Sequence, residues 1–407
     1  MAPVTIAEHF DSHFSVVCSN CTTEGAQRLK VVYDQMRASY CGSVDEGSYR
    51  FDAELVEKAV AKMKRGKAAG LDGLTAEHLQ YGHSLLPAVL AKLFNLMMQT
   101  GNVPAQFGES YTVPIIKNSY NVYSKSITVD DFRGISISPV VSKVFEHCIL
   151  DRYCKFFVTS DNQFGFKKKS GCRYALYTLK CAVNHYNSLG STVNLCALDI
   201  SKAFDKMNHH GLFIKLMHRR VPVNLLQILE NWFTLSITCV KWGSVLSRSF
   251  RLTCGIRQGG VLSPHLYALY IDSVVDRVKA SNVGCYYKLT CVSILLYADD
   301  ILLLAPSIIT LQQLILVCEN ELRWLDMTIN VRKSACMRVG PRFNVNCSNI
   351  LASDGEVSWC ENLRYLGIYL KASKQYSCLF SQAKRSYYRA FNAFMEKWGV
   401  LPLKKSC

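Results

Sequence analysis

Aspartate residues end one strongly apolar segment in the middle of the chain and interrupt a second. Residues 193–200 form an apolar run that carries Asp199 near its end, and residues 293–304 form two apolar arms around Asp299 and Asp300. A short apolar run is typical of a buried strand, and two arms around a polar pair are typical of a β-hairpin. Because aspartate disfavours strands and adjacent carboxylates repel each other, these positions are unfavourable unless something compensates the charge.

A bound divalent cation would relieve both the desolvation and the repulsion of these carboxylates. Mg²⁺ is held by one or two carboxylates with substrate phosphates, and two ions about 3.5–4 Å apart can bind the attacking and leaving oxygens of an in-line displacement. Asp299 and Asp300 alone are explained equally well as a polar hairpin turn. Asp199 favours the metal site, because it lies at a second strand end that has no turn to explain it. The pattern therefore indicates metal-dependent phosphoryl or nucleotidyl transfer.

The composition favours an anionic partner. The chain has 407 residues, of which 49% are hydrophobic and 19% charged, so it can bury a core, and global disorder is excluded. Its formal net charge of +16 favours nucleic acid or an anionic membrane surface as partner. Since no run of about 18 apolar residues occurs, we expect no membrane span.

The cysteines indicate a reducing compartment. The chain has 18 cysteines, and its N-terminus lacks the basic and apolar regions of a secretory signal. We therefore expect free thiols and an intracellular location, with the nucleus and the cytoplasm both open. Cys18 and Cys21 have C-x-x-C spacing, but no second pair accompanies them, so packed reduced cysteines are favoured over a metal site.

The hydrophobic periodicity predicts an α+β fold with a mainly antiparallel sheet and helices on one face. Helices are predicted over residues 52–63 with Asp52 as N-cap, 86–97, 139–149, 264–279 and 311–325, with a further helical stretch ending near 219. Strands are predicted near residues 113–116, 193–200, 237–242, 249–253 and 293–304. Residues 1–50 are only weakly periodic and are interpreted as an N-terminal extension of unclear role.

Six motifs, in order, resemble those of the reverse transcriptases of non-LTR (LINE-type) retrotransposons. They are Phe132–Ser136, Ala197–Asp205, Gly255–Pro264, Tyr297–Asp300, the set Asn330, Lys333 and Ser334, and Leu363–Gly367. The resemblance implies a right-hand polymerase with fingers, palm and partial thumb, whose antiparallel palm sheet is backed by helices. It also implies RNA-directed DNA synthesis on a primer, with an RNA template, a DNA primer and deoxynucleoside triphosphates as partners. Two Mg²⁺ ions would be the cofactors, with Mn²⁺ as a substitute.

The resemblance also divides the chain. Residues 51–190 would form a fingers-like region with part of the palm, and residues 191–340 the palm with its acids. Residues 341–407 would hold the end of the palm, a primer-grip-like element and a partial thumb, so we expect weak processivity. No endonuclease domain or Cys/His knuckle is recognisable, which suggests a fragment or derivative of a retroelement. A relative of group II intron maturases would need an RNA-binding extension that the sequence does not show.

The resemblance assigns the metal to the acids. Asp199, Asp299 and Asp300 would be the catalytic, metal-binding carboxylates, with Asp199 and Asp299 as direct ligands and Asp300 assisting. The backbone carbonyl of Ile200 would add a ligand.

Other residues match the positions that contact the nucleotide. Phe204 would be the steric gate that excludes a 2′-hydroxyl, although a core aromatic residue is its alternative. Arg133 would hold the triphosphate, for which a guanidinium is suited. Lys117 matches a fingers lysine in position only, and a solvated lysine explains it equally well. Gln258 and Gly259 would lie against the nascent base pair; a tight loop before the helix at Pro264 also explains them, and both can hold together.

The remaining candidates would contact phosphate or nucleic acid. Lys333 would touch phosphate or support the active site, with a solvated lysine as the alternative. Lys167, Lys168 and Lys169 would follow the template backbone, although most charge runs are simply solvated. Leu366 and Gly367 belong to the primer-grip-like element. Two hypotheses remain: an active polymerase, and a catalytically impaired fragment that binds nucleic acid.

Overall fold

The computed structural model describes residues 2–19, 23–43, 49–117, 127–167 and 170–398. Cys21, Lys168 and Lys169 lie outside the described residues. Contacts divide the chain into two compact units, each made of separate segments. Unit 1 comprises Met1–Ser160, Lys202–Ser273 and Glu321–Thr328, and unit 2 comprises Asp161–Ser201, Val274–Asn320 and Ile329–Cys407. The predicted fingers, palm and thumb boundaries stay predictions.

The helices of the described residues are given in chain order. They are α1 (Pro3–Ser19), α2 (Glu24–Ala38), α3 (Ala53–Lys62), α4 (Ala76–Gln80), α5 (Leu86–Thr100), α6 (Ala105–Gly108), α7 (Val140–Arg152), α8 (Cys172–Ser188), α9 (His209–His218), α10 (Val223–Thr234), α11 (Ser263–Ala280), α12 (Ile308–Trp324) and α13 (Ser381–Lys397). Short 3₁₀ turns cover Val129–Asp131 and Cys154–Phe157.

The strands follow in the same order. They are β1 (Glu109–Ile116), β2 (Phe132–Ile137), β3 (Val193–Leu198), β4 (Ile237–Trp242), β5 (Val245–Leu246), β6 (Phe250–Arg251), β7 (Tyr286–Tyr287), β8 (Thr290–Cys291), β9 (Ile294–Tyr297), β10 (Asp300–Ala305), β11 (Ala335–Val339), β12 (Ile350–Ala352), β13 (Gly355–Trp359), β14 (Asn362–Tyr365), β15 (Ile368–Lys371) and β16 (Cys378–Leu379).

The predicted elements are present, with boundaries shifted by a few residues. The Asp52 side chain caps α3 by accepting a 2.8 Å hydrogen bond from the amide of Leu55. The predicted hairpin is formed by β9 and β10, with acids at its turn. Helices α8 and α10 were not predicted. No element was predicted in the weakly periodic residues 1–50, whereas α1 and α2 occupy much of that segment.

In unit 1, the N-terminal helices are part of the core. Helix α1 packs on β4, and α2 packs on α9. Phe10 of α1 is buried against Phe132 and Trp242, with ring centroids 4.9 and 5.4 Å away. The same unit contains the sheet β2-β1-β4-β5, in which β1 pairs antiparallel with β2 and parallel with β4, and β6 also pairs with β4.

In unit 2, the central sheet has the order β12-β13-β11-β3-β10-β9. Strand β3 lies between β11 and β10 and pairs antiparallel with both, so the apolar run that ends at Asp199 is the middle of the sheet. Leu179, Ala182 and Val183 of α8 join a buried cluster with Leu195 and Leu302 on one face of this sheet. The α+β architecture with helices packed on a mainly antiparallel sheet is therefore confirmed.

Two further observations concern the cysteines and the membrane. No disulfide joins cysteines within the described ranges. None of the helices there combines the length and apolarity that a bilayer crossing needs.

The first residue of α9 makes unit 1 sensitive to acid. The Nε2–H of His209 donates a 2.7 Å hydrogen bond to the carbonyl of Gly255, and burial lowers the pKa of His209 to about 4 although this bond raises it. The unfolded chain, with a histidine pKa near 6.5, therefore takes up the proton at higher pH than the folded chain does. We expect the free energy of unfolding to fall by about 1–3 kcal/mol as the pH drops from about 6.5 to about 4.

Urea denaturation at several pH values would measure this loss. His209→Gln keeps a side-chain N–H donor but does not titrate, so the variant should lose less stability across the same pH window. An identical pH dependence in the variant and the wild type would contradict the assignment to His209.

Candidate active site

Strand register brings the three predicted aspartates to one end of the unit 2 sheet. Ile301 of β10 pairs with Leu198 of β3, so Asp300 and Asp199 occupy the next pair of positions along the two strands. Cα atoms of directly opposed residues in antiparallel strands lie about 4.5–5.5 Å apart. Tyr297 pairs with Asp300, which leaves Asp299 in the two-residue turn between β9 and β10. Asp199 is thus a neighbour of Asp299 and Asp300, which lie a hundred residues later in the sequence.

The acids repel one another. Asp299 and Asp300 are exposed at the turn, and Asp199 is partly buried. Partial desolvation, followed by the negative charges of Asp299 and Asp199, raises the pKa of Asp300 to about 6. The positive charge of Arg364 acts in the opposite direction. The site therefore holds more negative charge than its surroundings neutralise.

Residues of the predicted lysine motif hold the backbone at Asp199. The amide of Asn330 donates a 2.8 Å hydrogen bond to the carbonyl of Asp199, and the amide of Asp199 donates a 3.1 Å bond to Oγ of Ser334. Ser334 is buried and also donates its hydroxyl to the carbonyl of Asn330 at 2.8 Å. Lys333 between them is exposed. The motif fixes Asp199 through Asn330 and Ser334, roles that the sequence analysis assigned to neither residue.

The primer-grip-like element forms the β14–β15 hairpin. Tyr365 pairs with Ile368, and the turn residues Leu366 and Gly367 both have positive φ, 44° and 83°, as a type I′ hairpin turn requires. Arg364 of the same strand acts electrostatically on Asp300. Arg364 was not predicted as a site residue, because its only signal in the sequence is a basic side chain inside the motif.

The donor set at this end of the sheet suits a hard divalent cation. Within the described ranges, no group of three or more His, Cys, Asp or Glu side chains forms a preformed metal cluster. Mg²⁺, however, is bound through one or two carboxylates and substrate phosphates rather than in all-protein cages. Asp199, Asp299 and Asp300 supply such carboxylates, and their mutual repulsion would be relieved by the ion. Ile200, whose backbone carbonyl is a predicted ligand, forms an isolated antiparallel bridge with Ile329.

The predicted steric-gate residue lies in unit 1. Phe204 is half-buried and stacks on the buried ring of Tyr267, with centroids 4.4 Å apart and an angle of 22° between the ring planes. Its carbonyl accepts a 2.9 Å hydrogen bond from the amide of Ile256. Phe204 is therefore fixed beside the loop that carries Gln258 and Gly259.

That loop runs along β2. The carbonyl of Gln258 accepts a 2.8 Å bond from the amide of Ser136, and its side-chain Nε2 donates to Oδ1 of Asp205 at 3.1 Å. Gly259 has φ +139°, and a Cβ there would lie 2.3 Å from the Ser136 carbonyl oxygen. Only glycine permits this close approach of two backbones.

The predicted phosphate-binding side chains of unit 1 belong to two neighbouring strands, one lying on β2 and the other directly after β1. Arg133 is exposed on β2, opposite Ile115 of β1. Lys117 follows β1, and its Nζ donates a 2.7 Å hydrogen bond to the carbonyl of Asp130. In unit 2, the Nζ of Lys167 lies 3.9 Å from Oδ1 of Asp161.

Comparison with known proteins identifies the family. Residues 116–370 match the family described as reverse transcriptase (RNA-dependent DNA polymerase), which is more than half of the chain. This match includes every predicted metal-binding and nucleotide-binding residue.

Curated relatives of the chain include proteins of insect retroelements. The Pol polyprotein of the type-2 retrotransposable element R2DM from Drosophila melanogaster is 24% identical over 335 residues, covering 78% of this chain and 30% of the relative. The RNA-directed DNA polymerase from mobile element jockey of the same species is 25% identical over 372 residues, covering 86% of this chain and 38% of the relative. The chain thus spans about a third of the length of these relatives.

A solved structure of apo telomerase from Candida tropicalis is also similar, with a TM-score of 0.44 and 13% sequence identity over 74% of this chain and 54% of that one. The family match confirms the predicted fold class, an α+β right-hand polymerase. The chain belongs to the reverse transcriptase (RNA-dependent DNA polymerase) family, among relatives from non-LTR retrotransposons.

Proposed function

We propose that this chain is an RNA-directed DNA polymerase that adds deoxynucleotides to a primer 3′-hydroxyl by two-metal nucleotidyl transfer. The observation that carries the proposal is the register of β3 and β10, which places Asp199 beside Asp299 and Asp300 at an exposed end of the sheet. A purely structural hairpin turn does not need a third acid on the neighbouring strand.

The three aspartates would hold two Mg²⁺ ions, with Asp199 and Asp299 as direct ligands. When bound, the ions activate the attacking hydroxyl and neutralise charge on the leaving pyrophosphate. The hydrogen bonds from Asn330 and to Ser334 orient the backbone that carries Asp199. Arg364 supplies positive charge close to Asp300.

The candidates of unit 1 would bind the incoming nucleotide. Arg133 and Lys117 provide cations for its triphosphate, and the ring of Phe204 would lie against the sugar. Gln258 and Gly259 would contact the base pair that is being formed. Lys333, the lysines at 167–169 and the β14–β15 turn remain candidates for phosphate and nucleic-acid contacts.

A second candidate function rests on the charge of the chain. A net charge of +16 suits binding of RNA or DNA without any reaction. Such a protein would bind RNA in a salt-sensitive manner, and neither Mg²⁺ nor a matching nucleotide would tighten that binding.

Primer extension by the purified chain separates the two functions. The assay uses a DNA primer annealed to an RNA template, the four deoxynucleoside triphosphates and Mg²⁺, and a reverse transcriptase of the same class as positive control. We expect extended primers with Mg²⁺ and none with EDTA. Folded protein that binds the primer–template but does not extend it, while the positive control does, would favour the binding function.

A further inference from the structure

A segment of unit 2 outside the catalytic strands lies along the free edge of β9. The amide of Leu296 donates a 2.9 Å hydrogen bond to the carbonyl of Asn162, and the amide of Phe164 donates a 2.7 Å bond to the carbonyl of Leu296. Between them, Gln163 forms a parallel bridge with Leu296. The segment thereby extends the edge of the central sheet at a single bridge residue, on the side of β9 away from β10.

The side chain of Gln163 reaches from this segment to the turn that carries Asp299. It is completely buried, and its Oε1 accepts hydrogen bonds from the amides of Gly165, at 2.9 Å, and Ala298, at 3.2 Å. Ala298 is the first residue of the β9–β10 turn, and Asp299 is the second. In this hairpin register the Ala298 amide faces no backbone carbonyl, so the side chain of Gln163 satisfies it.

The turn has an unfavourable backbone conformation and little space around it. Ala298 has φ +58°, a left-handed conformation that disfavours residues with a Cβ. Such a conformation persists when surrounding contacts over-determine it. Gly165 packs directly under the turn, since a Cβ at this position would lie 2.5 Å from the Ala298 nitrogen. Ala298 is therefore held twice, by its amide's hydrogen bond to the side chain of Gln163 and by the close contact with Gly165.

The hydrogen bonding of Gln163 shows that its side-chain carbonyl oxygen, and not its NH₂ group, holds the turn. Within the described residues, the buried Nε2 of Gln163 has no hydrogen-bond partner, which is unfavourable. An apolar side chain of the same size would avoid this cost, but it would leave the amides of Ala298 and Gly165 without an acceptor. The carbonyl oxygen is therefore the reason for a glutamine at this position.

We propose that Gln163 is a positioning residue, which fixes the turn so that the Asp299 carboxylate is held in place beside Asp199 and Asp300. The proposal deepens the proposed polymerase function and rests on it. Gln163 acts on Asp299 through the backbone of Ala298.

Two variants of Gln163 separate hydrogen bonding from packing. Gln163→Met keeps a side chain of similar length but loses the acceptor, whereas Gln163→Glu keeps an acceptor at the same place. Gln312→Met is the matched control, because Gln312 also bonds a backbone amide, that of Leu351 at 2.8 Å, but at strand β12. Hydrogen exchange of the Ala298 amide, followed by NMR, reads out the turn directly and needs no activity.

We expect Gln163→Met to exchange the Ala298 amide about 10-fold faster or more, with β10 amides unchanged. In primer extension, kcat should fall by about 10- to 100-fold with little change in KM for the nucleotide, because the misplaced group acts in the chemical step. Gln163→Glu should keep the protection of Ala298. Gln312→Met should leave both readouts at wild-type values.

Wild-type kcat in folded Gln163→Met would overturn the proposal, and so would unchanged protection of Ala298. If Gln163→Met does not fold, hydrogen exchange is measured on the wild-type chain. An Ala298 amide that exchanges at the rate of an unprotected turn would overturn the proposal. An Ala298 amide that is protected from exchange would support it. Absence of primer extension by the wild type would instead count against the polymerase function, whereas the exchange data would still report on the turn.

Discussion

Replacement of Asp299 by asparagine is expected to lower the rate of primer extension by about 10³-fold or more while the protein stays folded. Asparagine keeps the size of the side chain and one acceptor oxygen but removes the charge that a divalent cation needs. Because Asp299 is exposed in a turn, its replacement disturbs no core packing. Single-turnover extension with saturating nucleotide measures the rate of the chemical step, and thermal unfolding measures stability.

A second hairpin of unit 2 provides the control. Ser353 and Asp354 form the two-residue turn between β12 and β13, so Asp354 has the same place in its turn as Asp299 has in the β9–β10 turn. Asp354→Asn should extend primers at the wild-type rate. If the two variants are equally active, Asp299 is an ordinary polar turn residue and the metal-binding role is wrong.

Metal binding gives the same prediction a readout without catalysis. The Asp299→Asn variant should bind Mn²⁺ more weakly than the wild type in the presence of primer–template and nucleotide, as measured by electron paramagnetic resonance. Asp354→Asn should bind it normally. Equal Mn²⁺ affinity in all three proteins would place the cation elsewhere.

The sequence predicted the strands of the candidate site well, because their signals are local. Residues 193–200 and 293–304 are apolar runs, and the short length of residues 193–200 and of each arm of 293–304 favours a strand over a helix. The β9–β10 hairpin was predicted from two short apolar arms placed symmetrically around the acid pair. The placement of Asp199 beside that hairpin required the assumption that two strands a hundred residues apart in sequence are neighbours. The pairing of β3 with β10 confirms this assumption.

The groups that support the acids were harder to predict, because their roles depend on tertiary contacts. Gln163 looks like an ordinary polar residue in sequence, and only its burial against the Ala298 turn gives it a role. Ser334 acts by accepting a hydrogen bond from a backbone amide 135 residues away in sequence. Arg364 comes close to Asp300 only through the folding of the β14–β15 hairpin.

Helices α1 and α2 have a weak hydrophobic pattern in the sequence and are stabilised by tertiary packing. The buried apolar residues of α2 are Ala26 and Leu29, too few to give a clear stripe in the sequence. Helix α1 is bound through Phe10 to aromatic residues of strands more than a hundred residues away. For such segments, tertiary contacts contribute more stability than intrinsic helix preference does.

The ring of Phe204 has the support that a steric gate requires. It stacks on Tyr267, which is completely buried, so the aromatic pair cannot yield easily to a larger sugar. The hydrogen bond from Ile256 to the Phe204 carbonyl fixes the backbone beneath the ring. A rigid aromatic surface excludes a hydroxyl group by volume, whereas a flexible one would move aside.

Phe204→Val is therefore expected to raise the use of ribonucleotides relative to deoxynucleotides by about 10- to 100-fold, measured as the ratio of kcat/KM values in single-nucleotide primer extension. Valine lacks the ring and opens space above Tyr267, which a 2′-hydroxyl can then occupy. Phe204→Tyr keeps the ring and should keep the wild-type ratio. Because the sugar ratio compares two substrates on one protein, a general loss of activity does not change it. An unchanged ratio in an active Phe204→Val variant would make Phe204 a packing residue of the unit 1 core and place sugar selection on another group.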